Sequence, residues 1–371
     1  MNRDAHYYAV LGFCRACGFK KKSALVIAYA SQFVDDAKIN LMSLKKTNIA
    51  IEHDVVNNLP AFFNMATCHS YFRIKTFNYE SMVNNTIVFH FVPGCKGENF
   101  TKKLRCMEES PVILDILRDV IVEDDLIKLG IVLHAYADTF SHQGFSGLLS
   151  KVNDIKNCEA KTKVGLRLLD RISNIFEYFG KEKYDEFLDH IMPAYGHSQA
   201  MDFADLSDLL WSYEYDYSDE FNGSYKLVEI DNKARYTRAF KGIRKHLENY
   251  LINHQQHSDS NLRFKNFEIL MEALVLEGKN NKKEKNWKRL LIEQGLFNKD
   301  DLDFIIYEDD RWLKEAFSNF DRKVFDNREV VGVDLADNFL NSNWYGFYLA
   351  VKWYKKKFFE YCTKYQLNIP N

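Results

Sequence analysis

Residues 133–145, LHAYADTFSHQGF, place His134, Asp138 and His142 at two successive steps of four in a largely apolar stretch. On an α-helix a step of four advances about 40° around the axis and about 6 Å along it, so the three side chains form a slowly winding row. Leu129, Ile131, Val132, Leu133 and Phe140 predict that this row is buried, where uncompensated polar groups are costly. Either a histidine simply donates to a carboxylate, or cations sit against the row. Its ends lie about 12 Å apart along the axis, too far to share one ion when metal–ligand bonds are near 2.1 Å. Asp138 is therefore the residue able to join two ions, with His134 on one side and His142 on the other.

One helix cannot close such a site, so further ligands must come from elsewhere. His6 lies beside Asp4 in the first apolar stretch, Asp35 and Asp36 end the second, His69 and His90 precede the central helix, and His197 follows it in YGHSQAMD. Eight of the 11 histidines fall within residues 1–197, which places the candidate chemistry in the N-terminal portion. His53-Asp54, in EHD, offers a competing metal pair of the HD phosphohydrolase type, although a charged surface pair is the commoner origin of such a dipeptide.

Aromatic residues make up 15% of the 371-residue chain against only 5 prolines, a balance that favours long helices with ring-filled interfaces. Helices are predicted over 5–19, stopped at Gly18, over 21–37, from Pro111 with Ser110 as cap, and over 124–143, stopped by Gly144. NTIVFHFVPG (85–94) suits a short strand or extended loop. Helices are also predicted at 159–179 and 181–191. After a connection near 221–236 they continue near 233–254, 261–277, 284–295, 310–319 and 343–363. The expectation is a mainly α protein: a multi-helix bundle with a buried metal cluster (1–220) and a C-terminal helical region packed on it (221–371).

Lys+Arg number 50 and Asp+Glu 52, a formal charge of −2, which offers no global attraction to polyanions and no extended nucleic-acid surface. The start, MNRDAHYYAVLGFCRACGFKKK, lacks signal-peptide features, and no apolar run reaches membrane-span length, so the expected location is cytoplasmic. Cys14 and Cys17 have no second CxxC to complete a zinc site and read as reduced packing residues. NWYGFYLAVKWYKKKFFEYCTKY reads as a helix whose aromatic face packs in the core.

GIVLHAYADTFSHQGF resembles the GxxxHxxxDxxxH helix of the zinc-dependent phospholipase C group, related to the S1/P1 nucleases. The order His6, ASQFVDDA, His69, His134/Asp138, His197 is similar to that superfamily's order of ligands. The blocks DAHYYAV, SQFVDDA, FHFVPG, HAYADTFSHQGF and GHSQAMDFADL also resemble those of an uncharacterised bacterial family associated with it, over roughly residues 1–215. The resemblance implies a phospholipase C/P1 nuclease-like fold holding two or three divalent ions, zinc or manganese. His6, Asp35, Asp36, His69, His134, Asp138, His142 and His197 would be the ligands, with Asp138 bridging. The superfamily's N-terminal tryptophan amine has no counterpart in Met-Asn-Arg, and Asp4 is the candidate for its place. Its acidic residue four positions after the last histidine is replaced by Met201, with Asp202 or Asp205 as substitutes.

Such a cluster activates water for phosphodiester hydrolysis, with Asp35 or Asp36 accepting a proton. The expected substrate is a small phosphodiester, either a lipid headgroup or a nucleotide. The competing expectation is a non-catalytic, metal-stabilised interaction or regulatory module.

Overall fold

The computed structural model describes residues 1–45, 50–68, 78–161, 193–215 and 227–370. Its principal helices are α1 (Val10–Cys17), α2 (Lys21–Asp36), α3 (Pro111–Val122), α4 (Leu126–Ser141), α5 (Asn232–Asn253), α6 (Phe267–Leu274), α7 (Asn280–Glu293), α8 (Arg311–Ala316) and α9 (Asn343–Lys364). The punctuation predicted at Ser110, Pro111 and Gly18 is in place, while the helix expected to reach 143 ends at Ser141. Ser110 caps α3 by accepting from the backbone N of Ile113, and Pro111 is the first helical residue. Gly18 ends α1 at φ 104°, and Asp125 caps α4 by accepting from the backbone N of Ile127 and of Lys128.

Helix α4 is the axis of the molecule. Every residue from Leu129 to Ser141 is buried, because α2, α3, α5 and α9 pack around it. The closest approach is to α2 at Gly130, where an added Cβ would lie 2.4 Å from the Ile27 carbonyl oxygen and 2.6 Å from Ala30 Cβ. This proximity sets α2 beside the His134–Asp138 row. The aromatic face of α9 is buried, including Trp344, Phe347, Tyr348, Tyr354 and Phe358. One apolar core draws on both sides of residue 220.

The mainly α expectation is overturned by two sheets, which make the fold mixed α/β. The first is four-stranded, in the order β2 (Asp54–Val56), β3 (Leu59–Phe63), β1 (Leu41–Leu44), β7 (Glu329–Val333). In it β1 runs antiparallel to β3 and parallel to β7, with Met42 opposite Val330. The second is antiparallel, with β5 (Leu210–Tyr215) between β4 (Ile155–Ala160) and β6 (Leu227–Asp231). These strands are 3 to 6 residues long, too short for period-two patterning to stand out, and the partner of β1 lies far along the chain.

Residues 85–90 correct the expectation in the other direction, whereas 91–94 leave the helix and Pro93 bridges Cys106. Instead of a strand, a π-helical run (Met82–Ile87) continues into an α-helical turn (Val88–His90). The β-branched residues there are buried, so tertiary packing overrides their strand preference. A second π-helical run, Asp4–Ala9, precedes α1 and carries His6. Inserted π turns often mark functional sites, and both of these deliver a histidine to one place. The predicted helices at 159–179 and 181–191 fall largely outside the described residues, although 159–160 belong to β4.

Candidate metal centre

Four ligand atoms from three parts of the chain lie close together. His134 Nε2 and His90 Nδ1 are 3.2 Å apart, and they lie 3.3 Å and 3.1 Å from Asp138 Oδ2. The same two nitrogens are 3.7 Å and 3.8 Å from Asp35 Oδ1. A tetrahedral ion with bonds near 2.1 Å separates its ligands by about 3.4 Å, and these five distances are close to that spacing.

The other oxygen, Asp138 Oδ1, belongs to a second group. It accepts from the Met1 α-amino group at 2.7 Å and lies 3.1 Å from His6 Nε2. The amino group is also 3.0 Å from Asp205 Oδ1. That oxygen leads to a third group, being 3.1 Å from His142 Nε2, while Asp205 Oδ2 is 3.6 Å from His197 Nε2. Three triads result: His6/His134/Asp138, Asp35/His90/His134 and His142/His197/Asp205. The rings of His6 and His134 stack at 3.9 Å, and those of His142 and His197 lie 4.8 Å apart. His134 and His142 serve different triads, as their separation along the helix requires.

The electrostatics suit cations. Burial works against ionisation of Asp138, but His142, the Met1 amine, His134 and His6 outweigh it and hold the carboxyl well below the usual range. Asp205 is held down in the same way against burial, by the amine, His197 and His142. Burial lowers His6 strongly, assisted by His134 and the amine. It also lowers His134, against the pull of Asp138, and takes His197 to about 4 against Asp205. Neutral imidazoles and ionised carboxylates are the forms that bind metal. Burial works to lower His142, but Asp138 and Asp205 together outweigh it and raise the imidazole. For the Met1 amine, burial is outweighed by Asp138, Asp205 and Asp35, which push it up to about 11. For Asp35, burial dominates over His90 and, with Asp138 adding to it, pushes the carboxyl up to about 7.

Of the residues expected from sequence, His6, Asp35, His134, Asp138, His142 and His197 come together. Asp36 does not. It shares the Gln32 Nε2 donor with Asp35, at 3.1 Å against 3.5 Å, but accepts from Tyr307 Oη at 2.7 Å and joins none of the triads. His69 lies outside the described residues. His90 completes the Asp35 triad; reading its segment as extended kept it out of the ligand set. Asp205 takes the place left open at Met201, eight positions after His197, while Asp202 joins none of the triads. The amine of Met1 is itself in the cluster, and Asp4 stands apart, its carboxyl pushed by burial to about 6 despite Lys283. His53 and Asp54 form no such group: His53 Nδ1 is 2.7 Å from the Ile51 carbonyl, and Asp54 accepts from Tyr348 and Lys352.

The loop bearing Asp205 is held from behind. Asn232, fully buried at the start of α5, donates to the carbonyls of Phe203 and Leu206 at 2.6 and 2.7 Å and accepts from Trp211 Nε1. Lys283 on α7 donates to Ser207 Oγ and Asp208 Oδ1.

Residues 1–362 match the family described as "Family of unknown function (DUF6765)". The chain belongs to that family. No curated protein and no solved structure matches it. Since the DUF6765 match covers both the triads and the C-terminal helices around them, the cluster and its surroundings fall within one family unit. Among the described residues, no helix of this DUF6765 chain is long and apolar enough to cross a membrane.

Proposed function

We propose that this protein is a metal-dependent phosphodiester hydrolase of phospholipase C/P1 nuclease-like chemistry. The observation that carries the reading is the convergence of His134 Nε2 and His90 Nδ1 on both Asp138 Oδ2 and Asp35 Oδ1, with Asp138 offering its other oxygen to the next group. The donor set of imidazole and carboxylate suits zinc, with manganese as the alternative.

Divalent ions held there would supply an activated water and neutralise charge developing on the phosphoryl oxygens. The protein's own groups do the rest. Asp138 orients the two groups on either side of it. Asp35, with 27% of its side chain exposed against 1% for Asp138, marks where the cluster meets solvent. Its carboxylate is placed there to accept a proton from the attacking water. No serine or cysteine nucleophile is required.

The near-complete burial of Asp138, His6 and His134 favours a second reading, in which the ions only hold the helices together as part of a non-catalytic interaction module. Elemental analysis of protein purified without chelator, combined with hydrolysis of bis-p-nitrophenyl phosphate, separates the two. Two or three ions per chain with chelator-sensitive turnover is the expected result. Bound ions without turnover favour the structural role, and no ions at all would refute both.

A further inference from the structure

We infer that a ring-walled cavity at the end of α2 binds a primary amine carried on an aromatic ring, an arylalkylamine. The cavity lies where α2, α8 and the start of α9 meet, and its volume of about 590 Å³ falls within the range of about 300–1,000 Å³ typical of ligand pockets. Phe33 on α2, Leu313 on α8, Phe325, and Trp344, Phe347 and Tyr348 on α9 line it, and each is less than a tenth exposed. The rings hold one another in place. Phe33 meets Phe347 edge-on with centroids 4.9 Å apart, and Trp344 lies parallel to Tyr348. Among the described residues no member of the three triads lines this cavity, so its occupant does not depend on the hydrolase reading.

Charge on the wall selects the head group. Asp309 and Asp310 are engaged by Arg322 at 3.0 Å, and Asp326 is engaged by Lys38. Asp36, which also lines the cavity, differs from these three. Its hydrogen bonds come from two neutral donors, Tyr307 Oη at 2.7 Å and Gln32 Nε2 at 3.1 Å, and both fall on Oδ2. Among the described residues this carboxylate therefore has no counter-ion, and Oδ1 can still accept. An ammonium fits that place, because a charge-assisted hydrogen bond is roughly twice as strong as a neutral one and aromatic faces attract a cation.

The walls select the body of the ligand. An aromatic ring gains edge and face contacts with Phe33, Trp344 and Phe347 beyond its burial of apolar area. An anionic head would meet Asp36 while Lys38 and Arg322 are already engaged by acids. A wholly apolar occupant would cut Asp36 Oδ1 off from water without giving it a partner, which is costly. A hard divalent ion needs about six oxygen ligands and would have to strip Arg322 and Lys38 from the other carboxylates. The amine alone satisfies both the rings and Asp36.

Calorimetric titration of the full chain at pH 7 tests the assignment. The probe is 2-phenylethylamine, with 2-phenylethanol and 3-phenylpropanoate as contrasts that keep the ring and change the head. The amine is expected to bind with a dissociation constant of about 0.1 mM, the alcohol about tenfold more weakly and the acid not at all. In Asp36→Asn the amine should fall to the level of the alcohol, while alcohol binding and melting temperature stay as in the parent, which separates loss of charge from loss of fold. Ala37, on the cavity wall, provides a second variant: Ala37→Leu fills the space and should abolish the binding of both. No amine binding at about 10 mM, an alcohol or acid that binds as tightly as the amine, or undiminished amine binding in either variant would overturn the inference.

Discussion

Asp138 Oδ2 and His90 Nδ1 meet at 3.1 Å across 48 residues of sequence, while the other oxygen of the same carboxylate accepts from the Met1 amine. Asp138 joins the neighbouring groups through its two oxygens, and His134 belongs to both triads. Asp138→Asn keeps its shape and removes its charge, so ion content is expected to fall to at most one per chain and hydrolysis by about 100-fold or more. Plasma emission analysis and the bis-p-nitrophenyl phosphate assay on one preparation check both. Full ion content in the variant would remove the bridging role.

Asp35 and Asp36 are adjacent in sequence but serve different surroundings. Asp35→Asn should reduce turnover about 100-fold, whereas Asp36→Asn and His53→Ala should stay within about threefold of the parent, because neither joins a triad. A collapse of activity in His53→Ala would instead revive the HD-type reading.

Removing the ions would leave Asp35, Asp138 and Asp205 close together, with the Met1 ammonium and the raised His142 as the positive groups beside them. Chelator treatment should therefore lower the melting temperature, and added zinc should restore it. A ligand at a thousand times its dissociation constant stabilises by about 4 kcal/mol. Calorimetry with and without chelator measures the shift, and an unchanged transition would argue against resident ions.

Gly130→Ala places a methyl against the Ile27 carbonyl and Ala30. The chain cannot yield there without moving α2 away from α4, so the substitution should cost about 1–3 kcal/mol or more. Because Asp35 travels with α2, ion content should fall along with the melting temperature. Loss of stability with undiminished ion content would separate the packing from the site.

Lys355 is buried beside Asn64, and burial, with Arg328 nearby, lowers its ammonium to about 7. Between that pH and the ordinary lysine value near 10.4, the unfolded chain binds more protons than the folded one, so this residue makes stability rise with pH, by at most about 1.4 kcal/mol per unit. Its cost is greatest below pH 7 and disappears above the ordinary value. Urea unfolding of the parent and of Lys355→Met at pH 7 and pH 9, in chelator, should show the steeper rise in the parent; parallel slopes would contradict it.

The helical parts of the site were legible because a period of four on one apolar helix is a local signal, and a capping residue such as Ser110 is local too. His90 was obscured by its own neighbours: Ile87, Val88 and Phe89 favour strands, and only the burial of all three sides of that segment makes it helical. Asp205 was obscured by register, since its loop places it by the clamp from Asn232 and not by any fixed spacing from His197. The sheets were the least legible feature. A strand such as Leu41–Leu44 is defined by Glu329–Val333, and no window of sequence contains both.

That parallel pairing also sets the order of events during synthesis. A ribosome releases β1 early, yet its partner β7 emerges only after some 280 further residues, and parallel pairs of such separation close slowly. Throughout that interval α2, with Asp35 at its end, lacks the C-terminal elements packed around it. If the proposed ions are bound, their capture would be a late step of maturation, and a nascent chain stalled before residue 329 would hold zinc weakly, exposed to whatever chelators the surrounding solution contains.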